Sequence, residues 1–356
     1  MREEASSLGP SVGLPESPRH SEPSSRAEPS QRQLSSARAG LGKRAQPGAH
    51  AAGQQATFDA GNRAADVATP NLADYQPVAS GSTGTCGDRV ASGASNELWA
   101  QIREEAVAAV ERDRVMSEII RDTVLIHENF GDALAHRLAR KLGDYALSVE
   151  TLESICCEAL SADPAIEDAA LADLNAVRDR DPACPDFLTP FLFFKGYHAI
   201  QAYRFGNWLW KRGRQHLANH IQSRVAEVFA VDIHPAARLG RGILLDHGTG
   251  VVVGETAVIE DEVSLLQSVT LGGTGKQCGQ RHPTIRRGVL IGAGAKILGA
   301  ITVGEGAKIG AGSIVLENVH PFTTVVGNPA RAVGTRHTHM PALTMDQSLP
   351  ALDYMI

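Results

Sequence analysis

Aromatic residues make up only 5% of this 356-residue sequence, and several common signals are missing from it altogether. So few rings exclude a core built on large aromatic side chains. Together with 35 glycines they point to a thin, repetitive core of Val, Ile and Ala. No apolar run approaches the ~20 residues of a spanning helix, so no membrane partner is expected. No basic stripe is present to neutralise phosphates and the formal net charge is −6, which argues against nucleic-acid binding. The five cysteines (86, 156, 157, 184 and 278) form no CxxC pair and no Cys/His group at zinc spacing, so no metal site is expected. Their odd number and the adjacent pair do not look like a disulfide framework, and thiols in a reducing compartment are expected.

What is present divides the chain into segments. Residues 1–95 are rich in Ser, Pro, Ala, Gly and Gln without apolar periodicity, the composition of a disordered or targeting segment. Arg19, Arg26, Arg32 and Arg38 suit a transit peptide, whereas Glu3, Glu4, Glu16, Glu22 and Glu28 do not. The expected address is the cytoplasm, or a plastid or mitochondrion if a transit peptide is included. From residue 96 the pattern is helical: Leu98, Ile102, Val107, Val110, Val115, Ile119 and Ile120 recur three to five apart. Further helices are expected near 129–142, 149–160, 164–178, 190–212 and 214–229. Asp163-Pro164 and Thr189-Pro190 each read as an N-cap followed by Pro in the first turn.

Near residue 231 the period changes to six. Ile233, Leu239, Leu245, Val251, Ala257, Val263 and Val269 form one series; Ile285, Ile291, Ile297, Val303, Ile309 and Val315 form a second. This period builds a triangular prism of short parallel strands, one inward apolar side chain per side and about 18 residues per coil. The expected class is thus α + β: an all-α domain over 96–230, a left-handed parallel β-helix over 231–334 and a flexible tail over 335–356. The two series are out of register, since Val269 and Ile285 stand sixteen residues apart. GGTGKQCGQRHPT between them must leave the prism as a loop, and loops on rigid scaffolds are where function concentrates.

Within the coil, His247 follows Asp246. An imidazole can deprotonate a hydroxyl near neutral pH, although a lone His is more often structural. Asp232, fifteen residues earlier, would fall near His247 and could orient the ring, or could cap a corner before Pro235. The loop carries Arg281 and His282; an Arg fork suits a substrate carboxylate. Gly272, Gly273 and Gly275 leave backbone N–H groups open to a thioester. GGTGK lacks the spacing and following helix of a nucleotide-binding loop.

The strings RDRDPAC, FKGYHAIQAYR, VDIHPAARLGRGILLDH, TGVVVGETAVIE, SVTLGGTGK, RHPTI, GAGAKILG and VVGNPAR together resemble the serine acetyltransferase family of hexapeptide-repeat acyltransferases. The resemblance spans roughly residues 96–356. It implies acetyl transfer from acetyl-CoA, as co-substrate, to the L-serine hydroxyl in a ternary complex, giving O-acetyl-L-serine and CoA in cysteine biosynthesis. It implies His247 as general base and Asp232 as its orienting partner. Asp181 and Asp246 would hold the serine ammonium, Arg281 and His282 its carboxylate, with Glu255 at a further site position. Gly273, Ala293, Lys308 and Ala311 would line the CoA groove. The family forms homotrimers that pair into hexamers, and its terminal isoleucine, here Ile356, enters O-acetylserine sulfhydrylase in the cysteine synthase complex. Two positions depart from the family: Gly248 stands where Ala is usual and Gln280 where Asp is usual, which bears on serine affinity and cysteine inhibition. The competing expectations are an acyltransferase for another hydroxyl acceptor, a coiled carbonic anhydrase using His234, His247 and His282, and a non-catalytic scaffold for the sulfhydrylase.

Overall fold

The computed structural model describes residues 93–275, 278–334 and 336–349. The segment read as disordered or targeting, apart from its last three residues, lies outside the described residues, as does Ile356. Helical periodicity gives α1 (Gly93–Arg112), α2 (Ser117–Ile120), α3 (Phe130–Leu142), α4 (Val149–Ala162), α5 (Ala165–Arg180), α6 (Leu188–Phe193), α7 (Lys195–Lys211) and α8 (Gln215–Phe229). Two expectations need correction. The run over 98–120 is broken: after α1 come a 3₁₀ turn at Arg114–Met116, the short α2 and a π-helical turn at Arg121–Leu125. The run over 190–212 is two helices, because Phe194 takes an extended conformation (φ −79°, ψ 106°). The caps also shift: Pro164 itself precedes α5, and Thr189 N–H donates to Asp186 Oδ1 (2.7 Å), so Asp186 performs the role read for Thr189.

The six-residue period builds three parallel sheets, one per side of a prism. Sheet A stacks β1 (Val231–Ile233), β4 (Val251–Val253), β7 (Thr270–Gly272), β10 (Lys296–Leu298) and β13 (Ile314–Val315). Sheet B stacks β2 (Arg238–Leu239), β5 (Val258–Ile259), β8 (Thr284–Ile285) and β11 (Thr302–Val303). Sheet C stacks β3 (Leu244–Leu245), β6 (Ser264–Leu265), β9 (Leu290–Ile291), β12 (Lys308–Ile309) and β14 (Thr324–Gly327), and closes on the antiparallel β15 (Ala330–Val333). The predicted inward residues are buried, except Leu239, which is half-buried.

Strand register exposes an irregularity that the period concealed. Leu244 pairs with Ser264, a step of twenty, whereas Val252 pairs with Thr270, a step of eighteen. Two extra residues therefore sit in the corner between β3 and β4, which is the Asp246–Gly250 segment. The series ran through unbroken because Val251 and Val253 both point inward, and it slipped from one inward position to the other. The larger interruption follows β7, where Val258 pairs with Thr284, a step of twenty-six; this is the loop expected there.

Helices and coil share one core cluster, from Trp99 to Val325. The joint between them is polar and buried. Asp173 on α5, fully buried, accepts from Arg204 (Nε 3.1 Å, Nη2 2.5 Å) and Gln201 (3.0 Å) on α7, and from Ile243 N–H (2.8 Å) of the coil. Burial pushes this carboxyl above the usual range, against the opposing pull of Arg204. Tyr203 and Asn207 extend α7's grip by donating to the Ala237 and Pro235 carbonyls (2.5 and 2.8 Å).

The polar tail, expected to be flexible, is docked over 341–348. A short helix α9 (Pro341–Thr344) buries Ala342 beside Leu266 and Leu290, and Ser264 Oγ donates to the Ala342 carbonyl (3.0 Å). A few apolar residues suffice because sheet C offers them a ready surface. Cys156 and Cys184 are buried free thiols and Cys278 an exposed one, whereas Cys157 is disulfide-bonded, contrary to the all-thiol expectation. Spacing along the chain carries no information about which distant residue reaches a half-buried thiol.

Candidate active site

Most of the predicted site residues collect at two corners of the prism, at opposite ends of sheet A. At the corner entering sheet A, the two-residue insertion lifts His247 out of the coil; its side chain is 72% exposed and its Nε2 stands 3.7 Å from Asp246 Oδ1. His247 has φ 56°, a left-handed corner geometry that Glu262 and Ser268 share on the coils above. Gly248 follows at φ 71°, where a Cβ would stand 3.3 Å from Gly196 Cα and from Val231 Cγ2. Asp181, the C-cap residue just after α5, reaches the same corner: burial raises the Asp246 carboxyl above the usual range, with the Asp181 charge adding to the shift and His247 opposing it.

Gly196 of α7 sets the corner's position. A Cβ there would stand 1.9 Å from the Leu245 carbonyl oxygen, one residue before Asp246. Only glycine lets helix and coil backbones meet this closely. Gly196→Ala should therefore cost about 1–3 kcal/mol through overpacking. The checks are a melting temperature lowered by roughly 5 °C and a loss of turnover as the His247 corner moves; an unchanged melting curve would refute the assignment.

The corner leaving sheet A holds the other group. Arg281 Nη2 pairs with Glu255 Oε2, and that pairing keeps the Glu255 carboxyl below the usual range. The His282 ring packs against Gly254, where a Cβ would meet it at 2.1 Å. Sequence reasoning missed Thr256, which ties the returning loop down: its Oγ1 accepts from Arg281 N–H (3.0 Å) and His282 N–H (3.1 Å). Nothing in the spacing marked it, because its partners lie across the whole extruded loop. Gln280 replaces the expected acid with two neutral hydrogen bonds, donating to the Thr256 and His282 carbonyls (2.8 and 2.7 Å).

Asp232 lies between the two groups, on the outer face of β1, and accepts from Gln222 Nε2 (2.6 Å). Among the described residues the ion-pair partner of His247 is Asp246, so the Asp232–His247 pairing read from the sequence is not made. His234 feels Asp232, Glu255 and Arg281 and belongs to the corner leaving sheet A. His234 and His282 thus lie one side of the prism, roughly 15 Å, from His247. No group of three or more potential metal ligands converges among the described residues.

Of the residues read for CoA, Ala293 and Ala311 stack in one column on the coils above the His247 corner, with Gln267 below them: Gly294 N–H donates to the Gln267 carbonyl (2.9 Å) and Gly312 N–H to that of Ala293 (2.8 Å). Gly273 stands at the other corner, beside the His282 ring. Lys308, on the outer face of sheet C, is held by the docked tail: its Nζ donates to the Asp346 and Ser348 carbonyls (3.1 and 2.7 Å) and lies 3.6 Å from Asp346 Oδ2.

Comparisons with known proteins agree with this architecture. Residues 98–202 match the family model for the N-terminal domain of serine acetyltransferase, and residues 282–317 match the bacterial transferase hexapeptide model of six repeats. The chain is 54% identical over 250 residues to a serine acetyltransferase of Salmonella typhimurium, covering 70% of this chain and 92% of that protein. The solved structure of soybean serine acetyltransferase complexed with serine is 51% identical (TM-score 0.67) and covers 68% of this chain and 100% of that one. That of the Brucella abortus enzyme in complex with coenzyme A is 49% identical (TM-score 0.67) and covers 68% and 97%. With the helical joint, the coil and its extruded loop all in place, this chain belongs to the serine acetyltransferase family.

Proposed function

We propose that this protein transfers the acetyl group of acetyl-CoA to the hydroxyl of L-serine, releasing O-acetyl-L-serine and CoA. The observation that carries this reading is the chemical complementarity of the two corners. One offers an exposed imidazole beside the Asp246 carboxylate, with the Asp181 charge close to Asp246 in turn. The other offers the Arg281 guanidinium. An amino acid with a hydroxyl needs this set: acids for its ammonium, a guanidinium for its carboxylate and a base for its side chain. His247 removes the hydroxyl proton as the oxygen attacks the thioester carbonyl, then returns that proton to the departing CoA sulfur. Positioning of both substrates supplies up to roughly 7–11 kcal/mol, and general-base catalysis about 10²–10⁴-fold. No covalent bond to the enzyme is required. Asp232, on the face between the corners, serves the base once substrate and neighbour are in place. Ala293 and Ala311 above His247, with Gly273 and Lys308, form the path for CoA.

The two corners of one chain lie too far apart to hold one serine. We propose that the site forms between chains of a homotrimer, the His247 corner of one meeting the Arg281 corner of the next. Val252 on the outer face of sheet A, 39% exposed, and Leu316 beyond β13, 49% exposed, supply apolar surface for that contact. Val107, Val115, Ile119 and Ile126 do the same on the N-terminal helices, the surface through which trimers pair into hexamers. The C-terminal Ile356 would engage O-acetylserine sulfhydrylase. The direct test is release of CoA from acetyl-CoA with L-serine, compared with threonine, a sugar hydroxyl and water alone. Serine-dependent release supports the reading; equal release with the other acceptors, or none with serine, overturns it.

A further inference from the structure

We infer that Thr256 is a positioning residue that locks His282 as a neutral imidazole with its proton on Nε2, so that His282 serves the site as an uncharged hydrogen-bond donor and not as a cation. The argument starts from what each atom can do. Thr256 N–H lies 3.1 Å from His282 Nδ1, and a backbone N–H can only donate. Nδ1 must therefore accept. Thr256 Oγ1 already accepts from the backbone N–H groups of Arg281 and His282, which leaves its own proton to donate, and Nδ1 stands 2.9 Å away. Two donors thus converge on Nδ1, and a proton there would face both. The remaining ring proton is confined to Nε2, on the side of Gly254 and Gly273, where a Cβ built on Gly273 would lie 3.7 Å away.

The charges around the ring agree. Arg281 and His234 oppose a positive charge on His282 and Glu255 favours one, while burial leads the lowering of its pKa below the ordinary histidine value. Gly254 completes the device, since any side chain there would displace the ring from Thr256. On the functional reading above, the charge that meets the serine carboxylate comes from Arg281 alone, and His282 adds one directed neutral hydrogen bond. A donor of this kind does not switch off as pH rises from 6 to 8, as an imidazolium would.

Nitrogen NMR on the assembled protein labelled at its histidine ring nitrogens tests this, with the His282 signals identified by their loss in His282→Gln. The expected result is the neutral Nε2–H form at both pH 6 and pH 8 in wild type and in Thr256→Ser. Thr256→Val removes both the Oγ1 donor to Nδ1 and the hydroxyl that holds the Arg281 and His282 backbone, so the ring should move off the Thr256 N–H and the signals should shift to mixed tautomers or to imidazolium at pH 6. The serine KM of that variant should rise about tenfold, with kcat moving less, for loss of the loop's hydrogen bonds; Thr256→Ser should restore it. An Nδ1–H or imidazolium signal in wild type at pH 6, or a Thr256→Val spectrum identical to wild type, would overturn the inference. The ring signals are read without turnover. A failure of serine acetylation would therefore sink the proposed function and leave the tautomer assignment to be judged separately.

Discussion

Replacing His247 by Ala should lower kcat for serine acetylation by about 10²–10⁴-fold, the contribution of a positioned general base. The folded state should be unaffected, because the side chain is 72% exposed and its ion-pair contact with Asp246 is long, at 3.7 Å. The serine KM should change little, since the carboxylates and the guanidinium that hold serine remain. Thiol release in the presence of saturating substrates reads the effect directly, and the melting curve guards against a folding artefact. A variant retaining near-wild-type turnover would remove His247 from the mechanism. Asp246 would then be the first alternative to examine, its carboxyl being shifted upward by burial and by Asp181.

Much of the scaffold that holds His247 was legible because it is periodic. A prism side admits one orientation per inward residue, so the sequence from Ile285 to Val315 maps directly onto consecutive strands. The long break after Val269 was legible for the same reason. The two-residue insertion at Asp246–Gly250 was not, because Val251 and Val253 are both apolar and inward and the series passed from one to the other. Functional residues are less periodic than the coil that carries them. Arg281 and His282 could be picked out as chemistry-bearing types on a loop, whereas Thr256 acts through its hydroxyl on the backbone N–H groups of residues 281 and 282, which any residue type there would present, so the partners leave no mark in the sequence. The docked tail escaped for another reason: its few apolar residues become meaningful only against sheet C, a surface that composition does not describe.

The division of the site between two corners has the largest measurable consequence. Arg281→Ala removes the guanidinium from one corner and should nearly abolish acetylation at low serine concentration, since truncating one partner of a charge-assisted pair costs about 2–5 kcal/mol. His247→Ala disables the other corner. If each site joins the His247 corner of one chain to the Arg281 corner of the next, the two defective proteins should complement each other. In trimers assembled at random from equal amounts of both, one junction in four pairs an intact His247 with an intact Arg281. Co-expression or co-refolding should therefore recover about a quarter of wild-type activity, provided closed threefold symmetry brings each corner to a neighbour. Simply combining the separately purified variants, without dissociation, should recover nothing. A site completed within one chain predicts no recovery in either protocol, because every chain then carries one fatal defect. The tenfold to thousandfold rise expected on co-assembly separates these alternatives without any knowledge of the trimer's detailed geometry, and it does so with substitutions that leave the coil's inward residues untouched.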